Sequence, residues 1–183
     1  LDYFLGDAKP RIVVVSGKAE AAIAPIAERI GAALMTLDAD ESGSLRDAAM
    51  AHEGPFAAVP RGSEDLAAIL YTSGTTGRSK GAKLCHRNLR SNAEVLRDYW
   101  RFTPDDVLLH MLPIYHTHGL FVASNLLALV GGSMIFLPKY AADVALEWMP
   151  KATTMMGVPT FYTRLLDHDG FTREASAHMR LFI

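Results

Sequence analysis

Short, continuous apolar runs alternate with segments of helical periodicity along most of the sequence. Residues 11–16 (RIVVVS) form an unbroken run rich in β-branched residues, which is typical of a strand buried on both faces of its sheet. The apolar residues that follow recur at helical spacing, and we expect Pro25 in the first turn of that helix and Gly31 at its C-terminal exit. Because strands that alternate with helices form parallel, covered sheets, the sequence predicts an α/β fold with largely parallel sheets covered by helices.

The same alternation continues to residue 183. The predicted strands are residues 11–16, 33–37, 66–71, 81–85, 107–112, 133–137, 153–157 and 180–183. The predicted helices are residues 23–30, 45–50, 86–100, 117–130, 141–149 and 159–167. Residues 119–138 carry no charge, but Gly131 and Gly132 interrupt this stretch and Pro138 closes it. We therefore interpret it as a buried helix followed by a buried strand and expect no membrane span.

Charge and cysteine content exclude some classes of function. The 18 basic and 20 acidic side chains give a net charge of −2, and no basic arm or basic helix is visible, so we expect no nucleic-acid partner. The single cysteine, Cys85, excludes an internal disulfide and fits a reducing compartment, which predicts a cytoplasmic protein.

A loop rich in glycine and hydroxyl groups follows the predicted strand at residues 66–71. Residues 71–81 read YTSGTTGRSKG. Glycines let backbone N–H groups approach an anion closely, hydroxyls add rotatable donors, and a lysine adds positive charge. The candidate phosphate-binding residues are Thr72, Ser73, Gly74, Thr75, Thr76, Gly77 and Lys80. The alternative is a purely structural turn between two strands.

This loop is not an ordinary P-loop. That motif requires glycine, four residues, and then Gly-Lys-Ser/Thr. Counting from Gly74, the second glycine would fall at Ser79, and Gly81 follows Lys80 where a magnesium-binding hydroxyl is needed. If this loop binds phosphate, it therefore belongs to a class of phosphate-binding loop other than the P-loop.

The run resembles the phosphate-loop signature of the adenylate-forming enzymes, the family of acyl-CoA synthetases, luciferases and peptide-synthetase adenylation domains. Their pattern is YTSGTTGxPKG, and this chain departs from it at Ser79, where loss of proline should make the end of the loop less rigid. The resemblance covers nearly the whole chain. It implies that residues 1–183 are part of the large N-terminal domain, and that the rest of this domain and the C-terminal domain are absent.

A second candidate group is the run LPIYHTHG at residues 112–119, between a predicted strand and a predicted helix. Crevices at the carboxyl ends of strands are where ligands bind in such sheets. The spacing of His116 and His118 permits a zinc pair, but no acidic or cysteine cluster completes the ligand set. A structural pair, hydrogen-bonded in the interior, is the other alternative, and we favour it for His110 inside the strand.

The resemblance adds a third interpretation of these histidines. Adenylate-forming enzymes carry Pro-x-aromatic-His at this point, which implies that His116 lies beside the acyl carboxylate and the α-phosphate. A histidine there can donate a hydrogen bond to the charge that develops as the carboxylate attacks phosphorus. We expect His116 and Lys80 to be catalytic, His116 also to contact the substrate, and His118 to line the acyl pocket.

Arg164 follows in GVPTFYTR, residues 157–164. This segment resembles the family helix that forms one wall of the acyl pocket. A lone arginine on a helix is usually at the surface, but a guanidinium pairs bidentately with a carboxylate. We therefore hypothesise that Arg164 binds the far carboxylate of a dicarboxylate such as malonate.

Within the family the chain is most similar to malonyl-CoA synthetases, on residues 71–81, 98–102 (DYWRF) and 112–119. The resemblance implies that ATP and a carboxylate form an acyl-adenylate and pyrophosphate, and that coenzyme A then displaces AMP. Mg²⁺ would bridge phosphate oxygens, and we expect no metal ligands from the protein in this segment. The sequence thus predicts a fragment of an acid–CoA ligase for a small carboxylate, malonate first, which is inactive alone.

Two alternatives stay open. The first is a ligase for another short- or medium-chain acid. The second is a non-catalytic nucleotide-binding module of the same fold, for which Ser79, Lys83 and Cys85 are the only support, because the family usually carries other residues there.

Overall fold

The computed structural model describes residues 1–72 and 79–183. The α-helices are α1 Asp2–Ala8, α2 Gly17–Ile30, α3 Ser44–Met50, α4 His86–Trp100, α5 Asn125–Val130, α6 Ala142–Trp148 and α7 Pro159–Leu166. The strands are β1 Ile12–Val15, β2 Ala33–Thr36, β3 Leu66–Thr72, β4 Lys80–Cys85, β5 Val107–His110, β6 Ser133–Phe136, β7 Thr154–Met156 and β8 Leu181–Phe182. A π-helix spans His118–Ser124, and a short 3₁₀ helix spans Met149–Lys151.

The chain divides into two compact units. The first comprises Leu1–Arg61 and Tyr71–Ala82, and the second comprises Gly62–Leu70 and Lys83–Ile183. β3 pairs with β4 in a two-stranded sheet, and the predicted phosphate loop joins these two strands. The strands that the sequence predicts at residues 66–71 and 81–85 are therefore present as β3 and β4.

The first unit contains a parallel pair of strands, β1 and β2, in which Ile12 lies opposite Ala33. α2 connects them, and its residues Ile23 and Ala27 are buried, as is Val13 of β1. Gly31 ends α2 with φ 71°, as predicted, because glycine adopts this left-handed conformation without strain.

The prediction for Pro25 was wrong. α2 begins at Gly17, before its apolar periodicity is visible, so Pro25 lies inside the helix and not in its first turn. Proline has no N–H to donate to the preceding turn, which removes one hydrogen bond from the helix interior.

The second unit is built on a four-stranded sheet in the order β6-β5-β7-β8, and every neighbouring pair is parallel. One buried cluster contains Leu108 and Met156 and is completed by residues of the π-helix and α5, with α4 packed against it. The other contains Leu109 and Met155 and is completed by residues of α6 and α7. Because successive strand residues point to opposite faces, helices cover both faces of this sheet. The predicted α/β fold with covered parallel sheets is confirmed.

The predicted helix over residues 117–130 is two elements. Its first part, His118–Ser124, is a π-helix, and only Asn125–Val130 is α-helical. Gly119 packs so closely that a Cβ atom would lie 2.4 Å from the Pro113 carbonyl oxygen. The Gly119 carbonyl oxygen accepts hydrogen bonds from His110 Nε2 and the Ser124 hydroxyl, each 2.9 Å long. These contacts occur where the helix has the wider π-helical turn. The spacing of apolar residues in the sequence does not predict them.

An ion pair between a buried carboxylate and a partly exposed guanidinium joins three segments of the second unit. Asp106, at the start of β5, is 2% exposed and accepts two hydrogen bonds from Arg180, at 2.6 and 2.7 Å. Its carboxylate also accepts from the Thr103 N–H and the Thr153 hydroxyl. Arg180 in turn donates to the carbonyl oxygens of Trp100 and Arg101 at the end of α4. The pair thus ties α4, β5 and the segment before β8 together.

Within residues 1–72 and 79–183, no helix is long and apolar enough to cross a membrane. The uncharged stretch at residues 119–138 contains the π-helix, α5 and β6, as expected for a helical segment followed by a strand.

Candidate active site

A cavity of about 750 Å³ lies in the second unit where three neighbouring strands end. Its walls come from the segments that follow β5, β6 and β7, together with one face of α7. Because all strands of this sheet are parallel, their carboxyl ends meet at one edge, which is where open α/β sheets bind ligands.

His116 reaches this cavity from the segment after β5. The segment turns at Pro113, whose carbonyl oxygen accepts a 3.1 Å hydrogen bond from the His116 N–H. The imidazole is exposed and lies against the Tyr115 ring, with centroids 4.7 Å apart. It is therefore accessible to donate a hydrogen bond to a bound anion.

Arg164 lines the same cavity from α7. Its side chain is exposed, and it makes no ion pair with any described residue. Lys139, which follows β6, is a second cationic residue of the lining. No aspartate or glutamate occurs among the described lining residues, so the charged groups of the cavity favour an anion.

The remaining lining is mostly apolar and aromatic. It includes Ile114, Phe136, Val158 and Phe161, and a tyrosine, Tyr140. Lys139 and Tyr140 belong to no motif, and sequence reasoning missed both. The signal that points to them is their place after β6, since this strand neighbours β5 in the sheet.

His118 and His110 have different surroundings from His116. His118 is half-buried and is not among the described residues that line the cavity. Burial lowers the pKa of the His118 imidazole, and the nearby His110 lowers it further. His110 is 1% exposed, and its Nε2–H donates to the Gly119 carbonyl oxygen, in agreement with the structural interpretation. The pocket role of His118 stays a prediction.

Most of the predicted phosphate-binding residues, Ser73, Gly74, Thr75, Thr76 and Gly77, lie outside the described residues. Thr72, at the end of β3, and Lys80, at the start of β4, are described, and both are exposed. Lys80 makes no ion pair with a described residue. Its ammonium group is thus available to an anion such as a phosphate.

Both ends of the phosphate run are hydrogen-bonded to α1. The Tyr3 hydroxyl donates to the Ser79 carbonyl oxygen at 2.7 Å, and the Tyr71 hydroxyl donates to Asp7 at 2.6 Å. The bond to Asp7 is the main reason why the pKa of Tyr71 rises to about 12. Ser79 is the position where the family usually has proline, and in this chain the Tyr3 hydroxyl holds its carbonyl oxygen.

If residues 72–80 bind ATP, as the resemblance implies, Tyr3→Phe in the whole protein should raise the KM for ATP about fivefold, because one net hydrogen bond contributes about 1 kcal/mol. The KM for the acid should not change. Steady-state kinetics with each substrate varied in turn measures both constants. Tyr99→Phe is the matched control, since Tyr99 is 80% exposed on α4. Equal ATP constants for Tyr3→Phe and the unmodified protein would contradict the prediction.

Residues 1–72 and 79–183 contain no group of three or more histidine, cysteine, aspartate or glutamate side chains that could hold a metal ion. The zinc interpretation of His116 and His118 therefore gains no third ligand from the described part of the chain.

The whole sequence matches the model of a known protein family. The model of the AMP-binding enzyme family matches residues 1–183. Among curated relatives, the mouse mitochondrial malonate–CoA ligase ACSF3 is 36% identical over 176 residues, which cover 92% of this chain and 29% of the relative. The human protein of the same description is 33% identical and covers the same share of this chain and 30% of the relative.

Solved structures agree with the sequence relatives. The ATP-bound MatB from Rhodopseudomonas palustris superposes with a TM-score of 0.95 at 61% identity, over 99% of this chain and 36% of that one. A malonyl-CoA ligase in a ternary product complex with methylmalonyl-CoA and AMP gives a TM-score of 0.77 at 29% identity, over 99% of this chain and 37% of that one. This chain thus spans about a third of the length of the proteins that it matches.

Proposed function

Because the chain belongs to the AMP-binding enzyme family, we propose that the whole protein of which it is part is an ATP-dependent, AMP-forming acid–CoA ligase for malonate. The observation that supports malonate is that His116 and Arg164 line one cavity with no described carboxylate in its walls. Malonate carries two carboxylates, so one can react at His116 while the other pairs with Arg164. The malonate–CoA ligases among the relatives support the same choice.

The residues of this chain act mainly by binding and orienting the reactants. Residues 72–77 and Lys80 would bind the β- and γ-phosphates and stabilise the negative charge of pyrophosphate as it leaves. The His116 imidazole would donate a hydrogen bond to the reacting carboxylate and α-phosphate, where negative charge develops. Arg164 would fix the far carboxylate, which orients the near one for attack and lowers the entropic cost of the step.

Mg²⁺, when bound with ATP, neutralises charge on the phosphate oxygens. Coenzyme A is the proposed acceptor of the acyl group, and its thiol would displace AMP from the acyl-adenylate.

We also propose a cytoplasmic location, because the single cysteine fits a reducing compartment, although the mouse relative is described as mitochondrial.

A ligase for another short- or medium-chain acid is the second candidate. The apolar part of the cavity wall, which includes Ile114, Phe136 and Val158, favours an acid with a hydrocarbon chain. A Bacillus subtilis relative described as a long-chain-fatty-acid–CoA ligase is 34% identical over 108 residues.

Pyrophosphate exchange into ATP by the whole protein tests the proposal, because exchange requires formation of the acyl-adenylate. We expect exchange with malonate, and malonyl-CoA when coenzyme A is added. A panel of monocarboxylates of increasing length serves as the comparison. Higher kcat/KM with any of these acids would favour the second candidate, and absence of exchange with every acid would identify a non-catalytic module.

A further inference from the structure

Tyr140 connects two walls of the cavity. It lies between β6 and α6, and its ring stacks on Phe161 of α7 with centroids 4.1 Å apart and an angle of 10° between the ring planes. Its hydroxyl donates a 2.7 Å hydrogen bond to the Phe161 carbonyl oxygen. Both residues line the cavity. Stacking and the hydrogen bond together fix the first turn of α7 against the segment that follows β6.

Arg164 lies one helical turn beyond this fixed point. Residues three apart on a helix are neighbours on its surface, so the contact that holds Phe161 also determines where the Arg164 side chain begins. The two groups are close in space: burial raises the pKa of the Tyr140 phenol, and the positive charge of Arg164 acts in the opposite direction. No ion pair with a described residue holds the guanidinium, so its position depends on that of the helix.

We propose that Tyr140 is a positioning residue that selects dicarboxylates, because it holds α7 so that Arg164 meets the far carboxylate while the near one lies at His116. This inference rests on the proposed function. A small misplacement of a bidentate partner weakens both of its hydrogen bonds, whereas an acid with a single carboxylate does not use Arg164 at all. Tyr140 therefore affects the choice between acids more than the rate of the reaction.

Tyr140→Phe in the whole protein separates positioning from packing, because it keeps the ring stack and removes only the hydroxyl. We expect the KM for malonate to rise about fivefold, the loss of one net hydrogen bond, with kcat within about twofold. The KM for ATP and the kcat/KM for propionate should not change. Steady-state pyrophosphate release with each acid measures these constants.

Tyr162→Phe is the matched control. Tyr162 lies on α7, the helix that carries Phe161 and Arg164, and its hydroxyl donates to the Ile183 carbonyl oxygen. It is not among the described residues that line the cavity. This variant loses the same chemical group and should leave the ratio of malonate to propionate kcat/KM unchanged. In an Arg164→Ala background the Tyr140→Phe effect on malonate should disappear, because the two residues act through one contact.

An equal effect of Tyr140→Phe on malonate and propionate, or a full effect in the Arg164→Ala background, would overturn the positioning role. Failure of the proposed function has a different signature, in which Arg164→Ala itself leaves the malonate KM unchanged. If Arg164→Ala raises that KM and Tyr140→Phe does not, only the inference about Tyr140 is wrong.

Discussion

Arg164→Ala in the whole protein is expected to raise the KM for malonate about 100-fold. Each hydrogen bond between a guanidinium and a carboxylate contributes about 1.5–3 kcal/mol, and two bonds at the lower end of this range, as expected for the exposed Arg164, correspond to about two orders of magnitude in affinity. The KM for ATP should stay the same, since the phosphates are expected at the loop of residues 72–80. Initial rates at varied malonate and saturating ATP measure the change.

Two further variants test the cause of this effect. Arg164→Lys keeps the positive charge and loses the planar fork, so we expect a KM between those of the unmodified protein and Arg164→Ala. Arg90→Ala is the control for loss of an arginine, because Arg90 forms an exposed ion pair with Glu94 on α4. An unchanged malonate KM in Arg164→Ala would refute the proposed clamp.

The sequence predicts the elements of this fold better than their tertiary contacts. The β-branched runs and the helical stripes identify β1, α2 and most later elements because burial of apolar side chains imposes their period. The apolar stripe of α4 is an example, since Ala93 is 4% exposed and Arg87, opposite Glu64, is at the surface. The π-helix at His118–Ser124 escapes prediction because its period depends on the contacts of Gly119 with Pro113 and His110.

The sequence predicts single residues of the candidate site but not the cavity that they share. His116 and Arg164 are recognisable in their own segments, about fifty residues apart in the sequence, but no local pattern shows that they share a cavity. They meet because β5 and β7 are neighbours in a parallel sheet, so the segments that follow them leave its same edge. Lys139 and Tyr140 enter for the same reason, through β6 beside β5. The strand order, which the sequence does not state, is therefore what assembles the cavity.

Asp106→Asn is expected to destabilise the second unit by about 3 kcal/mol, because it keeps the size of the side chain and removes the charge that pairs with Arg180. The carboxylate is buried while Arg180 is partly exposed, so the cost comes mainly from weakening the hydrogen bonds to a buried charged acceptor, each of which contributes about 1.5–3 kcal/mol. In the whole protein, backbone amides of β5 and β7 should lose protection from hydrogen exchange about 100-fold. Asp98→Asn is the control, since Asp98 pairs with Arg97 on the exposed face of α4 and should show no measurable change.

The same carboxylate should make the unit sensitive to acid. Burial alone would raise the pKa of Asp106, but hydrogen bonds from Arg180, the Thr103 N–H and Thr153 outweigh it, and the pKa lies below its ordinary value. A group whose pKa is lower in the folded state stabilises the fold above its unfolded pKa of about 3.9 and loses that contribution as the pH falls through the folded value. Protection of β5 and β7 should therefore fall below about pH 4 in the unmodified protein, and this pH dependence should be weaker in Asp106→Asn. An equally steep acid dependence in Asp106→Asn would show that other carboxylates control the stability of this unit.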